Sequence, residues 1–206
     1  MSTRFLIFTA SLIAILAVAF FYWARLPENA VTQDSAPGAT ISAAEASTHE
    51  AVYPSFELQG LDGQPHDFSE WAGTHRLINF WATWCAPCRR EIPLLKAFQD
   101  QHGESGMQVI GIAVDFLEPV ASYAEDAQFN YPILVGEQDA MAVAESSGVS
   151  FVGLPITMIV AADGELLSSH MGEIHQDQLD VIASVFSQLD SGEIDKTTAR
   201  ELLGNF

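Results

Sequence analysis

Two cysteines separated by two residues are the part of this sequence best suited to chemistry. Cys85 and Cys88 are the only cysteines in the 206-residue chain, and they lie in the stretch LINFWATWCAPCRREIPLL, residues 77–95. An apolar run ends just before the pair and charged residues begin just after it. Four kinds of site use cysteines at such close spacing: a metal clip, a haem attachment point, a structural disulfide and a redox-active dithiol.

The surrounding residues argue against the first three. Haem attachment requires a histidine directly after the second cysteine, and Arg89 stands there. Zinc requires about four ligands, but the chain has no second cysteine pair. His66, His75 and His102 are interpreted as surface histidines that would have to fold back. A structural disulfide that closes so short a loop would constrain the unfolded chain little. A redox pair is therefore favoured.

The position of the pair predicts an activated thiol. Pro87 suits the first turn of a helix, where its missing N–H costs nothing, so a helix is predicted from about residue 86 to 102. Cys85 would then lie at the helix N-terminus, where such placement lowers a thiol pKa to ~3.5–7.5. Arg89 and Arg90 would add positive charge nearby. We expect Cys85 to be the nucleophile and Cys88, one turn further, to resolve the mixed disulfide.

Glu91 follows the pair at a spacing that brings it near Cys88. On a helix, Cys88, Glu91, Ile92, Leu95 and Phe98 share one face, and most of that face is apolar. A carboxyl at its edge would be partly desolvated, which raises its pKa, and it would exchange protons with Cys88. The alternative is an exposed first-turn glutamate that interacts only with the helix dipole.

The cysteine pair and Glu91 are positioned by strands that alternate with helices. Apolar runs predict buried strands over 76–81 and 107–114 and a short strand over 131–135. Helices are predicted over 118–129, 139–148 and 176–189, and hairpins turn at residues 62–63 and 163–164, both Asp-Gly. This order indicates an α/β fold with a mixed sheet and helices on both faces. No pattern predicts an element in the tail from Ser191.

The N-terminus predicts a membrane anchor. Residues 5–24 carry no charge and are flanked by Arg4 and Arg25. Twenty helical residues match a hydrocarbon core ~30 Å thick. The alternative is a signal peptide cleaved after Ala-Val-Ala at 17–19, which would leave Phe-Phe-Tyr-Trp at the new terminus. The rest of the chain is exported in either case.

Composition indicates how the chain is divided into segments and which classes of partner it can bind. We expect an anchor over 1–25, a flexible linker over 26–50, one folded domain over 51–190 and a C-terminal tail over 191–206. The formal net charge is −19, with 8 Lys and Arg against 27 Asp and Glu. A nucleic-acid partner is excluded, because binding it requires a cationic surface.

The motif FWATWCAPCRREIP, residues 80–93, resembles the thioredoxin superfamily and, within it, the membrane-tethered TlpA/ResA-like thiol–disulfide oxidoreductases. The likeness covers roughly residues 53–189. It implies a thioredoxin-like fold, a central mixed sheet flanked by helices. It also implies an active site of Trp84, Cys85, Pro87 and Cys88, and a functional glutamate where Glu91 stands.

The resemblance also implies a cis-proline facing the disulfide, and Leu154-Pro155 is the matching pair. The Leu154 backbone would pair with an extended substrate, whereas an ordinary trans proline is the alternative. Thioredoxin itself uses a buried aspartate at the position of Asn79. Dedicated cytochrome c maturation members usually carry glutamate directly after the cis-proline, and this chain has Ile156 there.

The implied function is that of a reductant held at the membrane, with its catalytic domain on the periplasmic or extracytoplasmic side. Its partners would be protein disulfide substrates and a transmembrane electron donor, with no cofactor, and cytochrome c maturation is one candidate pathway. Two alternatives remain: a copper- or other metal-handling module that uses Cys85 and Cys88, and a scaffold with an inert disulfide.

Overall fold

The computed structural model describes residues 53–204, which form one seven-stranded mixed sheet with helices on both faces. The strands are β1 (Glu57–Gly60), β2 (Pro65–Asp67), β3 (His75–Trp81), β4 (Met107–Ala113), β5 (Ile133–Val135), β6 (Ile156–Val160) and β7 (Leu166–Met171). Their order across the sheet is β2-β1-β5-β4-β3-β6-β7. β3, β4 and β5 are parallel, and the other neighbours pair antiparallel.

The described residues also form five α-helices: α1 (Ala86–His102), α2 (Leu117–Ala127), α3 (Gln138–Ser146), α4 (Gln176–Asp190) and α5 (Lys196–Leu203). Short 3-10 helices occupy Phe68–Trp71 and Gly103–Ser105. The predicted α/β class and the predicted elements are confirmed, with ends that differ by one or two residues. Both Asp-Gly turns are present because Gly63 and Gly164 adopt the positive φ that these turns need.

The central strand β3 determines what lies beneath the cysteine pair. All seven of its residues are buried, and successive side chains alternate between the two faces of the sheet. Leu77 and Trp81 join the apolar cluster that contains Cys85 and Cys88, whereas Ile78 and Phe80 join the cluster on the opposite face. The polar side chain of residue 79 therefore falls on the cysteine side, under α1.

One histidine prediction is wrong. His75 is buried at the start of β3, where its ring stacks on Phe186 with centroids 4.2 Å apart and its Nε2 lies 2.9 Å from Asp190 Oδ1. The long-range partner in α4, which no local pattern reveals, accounts for its burial. Within residues 53–204, no group of three or more His, Cys, Asp or Glu side chains is arranged to hold a metal ion.

The segment after residue 190 continues into α5, which packs against the domain. Asp195 caps this helix by accepting a hydrogen bond from the Thr198 N–H at 2.8 Å, and Ala199 is buried. The carboxylate of Glu165, at the hairpin before β7, is only 2% exposed and forms ion pairs with Lys196 and Arg200 of α5. Because a buried carboxylate requires such partners, α5 is needed to compensate the charge of Glu165.

Removing both cations should destabilise the domain. In a Lys196→Ala/Arg200→Ala variant, Glu165 stays buried without an opposite charge, so we expect the free energy of unfolding to fall by about 3 kcal/mol. Urea titration followed by circular dichroism measures this change. Thr197→Ala, an exposed change on the same helix, is the control and should shift the midpoint little. Equal midpoints for the two variants would contradict the role of these ion pairs.

The predicted anchor over 1–25 and linker over 26–50 lie outside the described residues. Within residues 53–204, no helix combines the length and the apolar composition needed to cross a membrane.

Candidate active site

The cysteine pair lies at the junction between β3 and α1. Cys85 and Cys88 form a disulfide with Cα atoms 5.3 Å apart. Cys85 is the N-cap of α1, and its sulfur accepts a hydrogen bond from the Cys88 N–H at 3.3 Å. Pro87 occupies the first turn, as predicted. When the disulfide opens, the same N–H and the helix dipole favour negative charge on the Cys85 sulfur.

The two sulfurs differ in accessibility. Cys88 is fully buried, whereas Cys85 remains 5% exposed. A protein partner approaching from outside therefore reaches Cys85 first, and Cys88 lies behind it in the apolar cluster. This asymmetry agrees with the predicted division between nucleophile and resolving thiol, although the two roles stay predictions.

Exposed apolar side chains surround this end of the domain. Trp84 (69% exposed), Phe116 (61%), Val152 (71%) and Met171 (52%) form what we call the apolar rim. Trp84 precedes Cys85, Val152 precedes the proline loop, and Met171 pairs with the first residue of β6. Large apolar side chains exposed at one site indicate a surface that another molecule covers.

Asp115, which the sequence analysis did not single out, connects Phe116 to the cysteine loop. Its Oδ2 accepts hydrogen bonds from the Thr83 N–H at 3.0 Å and from the Thr83 hydroxyl at 2.5 Å. Thr83 lies two residues before Cys85. These two hydrogen bonds thus link the segments that follow β3 and β4 directly beside the disulfide.

The peptide bond between Leu154 and Pro155 is cis, as predicted. Pro155 is buried immediately before β6, and its carbonyl accepts a hydrogen bond from the Gly172 N–H at 2.9 Å. Leu154 is half-buried and packs against the cluster that contains both cysteines. The loop therefore lies at the redox site, and the contribution of Leu154 and Pro155 to substrate binding stays a prediction.

Glu91 is fully buried one helical turn after Cys88, so the alternative of an exposed first-turn glutamate is wrong. Its Oε1 accepts a hydrogen bond from Asn79 Nδ2 at 2.8 Å, and its Oε2 accepts one from the Ile174 N–H at 2.7 Å. Burial raises the pKa of Glu91 to about 7, and the two hydrogen bonds oppose this rise without cancelling it. A group with this pKa can both take up and release a proton near neutral pH.

Asn79 links Glu91 to the strand that follows the proline. Its Nδ2 also donates to Thr157 Oγ1 at 3.1 Å, and both side chains are fully buried. Thr157 was not predicted, because it lies within the apolar run ITMIV and reads as an ordinary strand residue. The neutral amide of Asn79 leaves Glu91 as the one carboxyl in this hydrogen-bonded group.

The shifted pKa of Glu91 should appear in the stability of the protein. Because the folded-state pKa lies above the ordinary value, the folded state binds the proton more tightly than the unfolded state between pH 4.5 and about 7. The contribution is fully present below pH 4.5 and is lost as the pH rises through about 7, a change of about 3 kcal/mol. Urea titrations of wild type and Glu91→Gln at several pH values measure it.

The variant provides the comparison, because it loses one acceptor oxygen and is therefore expected to be less stable than the wild type at low pH, where the wild-type carboxyl is neutral. The diagnostic quantity is therefore the slope: the wild type should lose stability relative to Glu91→Gln as the pH rises. Parallel stability curves would contradict the raised pKa.

Arg90 contributes less positive charge to the site than its position suggests. It forms a bidentate ion pair with Glu173 at the surface, which holds the pKa of that carboxyl below its ordinary value. Arg89 is exposed in the first turn of α1. The helix N-terminus and Arg89 therefore remain as sources of positive potential near Cys85, whereas the charge of Arg90 is largely compensated by Glu173.

This geometry can be compared with known proteins. The family model described as the AhpC/TSA family matches residues 50–169, which is more than half of the chain. The chain belongs to the AhpC/TSA family. The match includes the cysteine pair, Glu91 and the proline loop.

Several proteins that are similar to this AhpC/TSA family member are named as thiol–disulfide oxidoreductases or thioredoxin-like proteins. It is 29% identical over 130 residues to the thiol–disulfide oxidoreductase ResA of Geobacillus kaustophilus, covering 62% of this chain and 71% of that protein. It is 26% identical over 133 residues to the thioredoxin-like protein YneN of Bacillus subtilis, covering 62% and 74%. A solved thiol:disulfide interchange protein of the thioredoxin family from Chlorobium tepidum matches with a TM-score of 0.61 and 27% identity, covering 68% and 97%.

The fold, the disulfide and the names of these relatives all indicate the same kind of protein. The predicted kind of protein, a thioredoxin-like thiol–disulfide oxidoreductase of the ResA type, is confirmed. The direction of the reaction, the clients and the location are not part of that agreement.

Proposed function

We propose that this protein reduces disulfide bonds of exported proteins, with Cys85 as nucleophile and Cys88 as resolving thiol. The observation that carries the proposal is the asymmetry of the pair, an accessible sulfur at a helix N-terminus with a buried sulfur behind it. The Ala-Pro dipeptide between the cysteines, which resembles that of reducing relatives, supports this direction.

The reaction consists of two exchanges. The Cys85 thiolate attacks one sulfur of the client disulfide, so that a Cys85–client bond forms, the client S–S bond breaks and the second client sulfur leaves as a thiolate that takes up a proton. The Cys88 thiol then loses its proton and attacks Cys85, which releases the first client sulfur. Two electrons have passed from the enzyme dithiol to the client, and a further dithiol donor must reduce the enzyme again.

Clients would bind through backbone and apolar contacts. The apolar rim offers surface to an extended or partly unfolded polypeptide, and the backbone of the half-buried Leu154, beside the cis-proline, would pair with such a chain. Apocytochrome c, in which a reduced cysteine pair is required for haem attachment, is one client class within this proposal.

We place the protein at the membrane, with its domain on the extracytoplasmic side and a transmembrane dithiol donor as its reductant. The uncharged stretch over residues 5–24 supports this location. In intact cells of a native host, a membrane-impermeant maleimide should label Cys85 after mild reduction, and carbonate washing should leave the protein in the membrane fraction. Labelling only after cell lysis would contradict the location.

The reaction itself is tested with the reduced protein and a model protein disulfide. Stoichiometric loss of the client disulfide, with formation of the Cys85–Cys88 disulfide in the same proportion, is the expected result. Tight stoichiometric binding of copper by the reduced protein, without any disulfide exchange, would favour the metal-handling alternative.

A further inference from the structure

A groove lies between Asp115, which hydrogen-bonds the active-site loop, and the β1–β2 hairpin. No step of the reaction above uses it. It has a volume of about 460 Å³ and lies between β1, the end of β5 and the first residues of α2 and α3. That volume is within the range of pockets that hold a drug-sized ligand. Its lining combines polar and apolar side chains, and Leu58, Phe116 and Val135 contribute apolar surface.

Sheet register explains why the groove is open. β1 pairs with β5 only through Gln59 and Gly60. Glu57 and Leu58 extend beyond the last residue of β5, so on that side they border the groove, while their other side pairs with β2.

The groove is connected to the redox site through Asp115 and Phe116. Asp115 lines it and also accepts both hydrogen bonds of Thr83, two residues before Cys85. Phe116, the next lining residue, is 61% exposed and belongs to the apolar rim. A client chain whose disulfide meets Cys85 thus reaches the groove with the residues that flank its cysteine, at about 3.3 Å for each extended residue.

The charge of the lining residues indicates what kind of segment binds in the groove. Glu57, Asp115, Glu137 and Asp139 line the groove, and no lysine, arginine or histidine does. In the described part of the chain, neither Glu57, Glu137 nor Asp139 forms an ion pair. The N-termini of α2 and α3 contribute about half a positive charge each, which leaves the four carboxylates dominant.

We infer that this groove binds a cationic, partly apolar segment of the client that flanks the disulfide, and so selects clients with lysine or arginine near the reacting cysteine. This inference rests on the proposed reductase function and specifies its substrate class. The apolar lining residues accept the stems of these long side chains, while their charged ends meet the carboxylates of the groove.

Two disulfide-linked peptides test the selection. They share one sequence except that two lysines flanking the cysteine in one are glutamates in the other. The reduced protein should show a kcat/KM about tenfold higher for the lysine peptide at low ionic strength, and the ratio should fall as salt is added. A ratio near one in the wild type would overturn the inference.

Matched variants separate the groove from the overall negative charge of the chain. Glu57→Gln/Glu137→Gln/Asp139→Asn removes three charges from the groove, and Glu118→Gln/Glu125→Gln/Asp126→Asn removes three exposed charges from α2 outside it. We expect the lysine-to-glutamate ratio to approach one in the first variant and to remain high in the second. Equal ratios in the two variants would assign the preference to net charge and overturn the inference.

A binding measurement makes the result independent of turnover. The oxidised protein is titrated with the lysine peptide in which serine replaces the cysteine, and backbone amide shifts are followed by NMR. Shifts at Leu58 and Gly136 that are absent with the glutamate peptide support the groove, whereas no shift at these amides overturns it. If neither peptide is reduced while the lysine peptide still binds, the proposed reductase function is contradicted but the inference about the groove is not.

Discussion

Cys85→Ser should reduce the rate of client reduction to that of the uncatalysed exchange, because the only other cysteine of the chain, Cys88, is fully buried. A serine hydroxyl cannot ionise near neutral pH, so the first exchange cannot begin. Cys88→Ala should behave differently. Its Cys85 still attacks, but the mixed disulfide accumulates because the resolving thiol is missing. Non-reducing electrophoresis of cells that express Cys88→Ala should therefore show covalent adducts, and mass spectrometry of these adducts names the clients.

Alkylation kinetics provide the matched control for these two variants. In Cys88→Ala the Cys85 thiol should react with iodoacetamide at pH 6–7 faster than a free cysteine, since the helix N-terminus increases its thiolate fraction. In Cys85→Ala the buried Cys88 should react more slowly. Adducts that form with Cys85→Ala but not with Cys88→Ala would reverse the proposed order of the two thiols.

The local part of the site could be predicted because each feature depends on neighbouring residues. The start of α1 follows from Pro87, and the helical spacing of Glu91 from Cys88 places both on one buried face. The hairpin turns follow from Asp-Gly pairs. The cis bond before Pro155 came from the family resemblance rather than from the residues alone.

The rest of the site depends on contacts between distant segments. The Ile174 N–H that bonds Glu91 comes from a residue 83 positions later, and Thr157 reaches Asn79 across 78 positions. Nothing in a local pattern distinguishes such a threonine from its strand neighbours. The same reason explains why the burial of His75 against α4 was missed.

The ion pairs between Glu165 and α5 are another long-range contact that the sequence alone does not predict. Short sequences with mixed polarity such as residues 191–206 carry no clear periodicity, and their helix becomes recognisable only when its partner is known. Lys196 and Arg200 are four residues apart and thus share one helix face. That face meets a carboxylate 31 positions earlier than Lys196, while Ala199 and Leu203 of the same helix pack into the apolar cluster.

Glu91→Gln should slow the second exchange by about a hundredfold at pH 8, where the wild-type carboxylate is ionised and able to accept the proton of Cys88. Below about pH 6 Glu91 is already protonated and neutral, like the glutamine, so the two proteins should approach the same rate. The wild-type rate profile should therefore show an inflection near pH 7 that the variant lacks. Stopped-flow measurement of client release from a preformed mixed disulfide follows this step across pH 5–9.

Glu173→Gln is the informative control for this profile. The negative charge of Glu173 is one of the causes that raise the pKa of Glu91, while its side chain lies at the surface and pairs with Arg90. Removing that charge should move the inflection to lower pH but leave the rate at pH 8 close to that of the wild type. If instead Glu91→Gln and wild type share one profile, Cys88 loses its proton to solvent, and the buried hydrogen bonds of Glu91 serve only to hold α1 against Ile174.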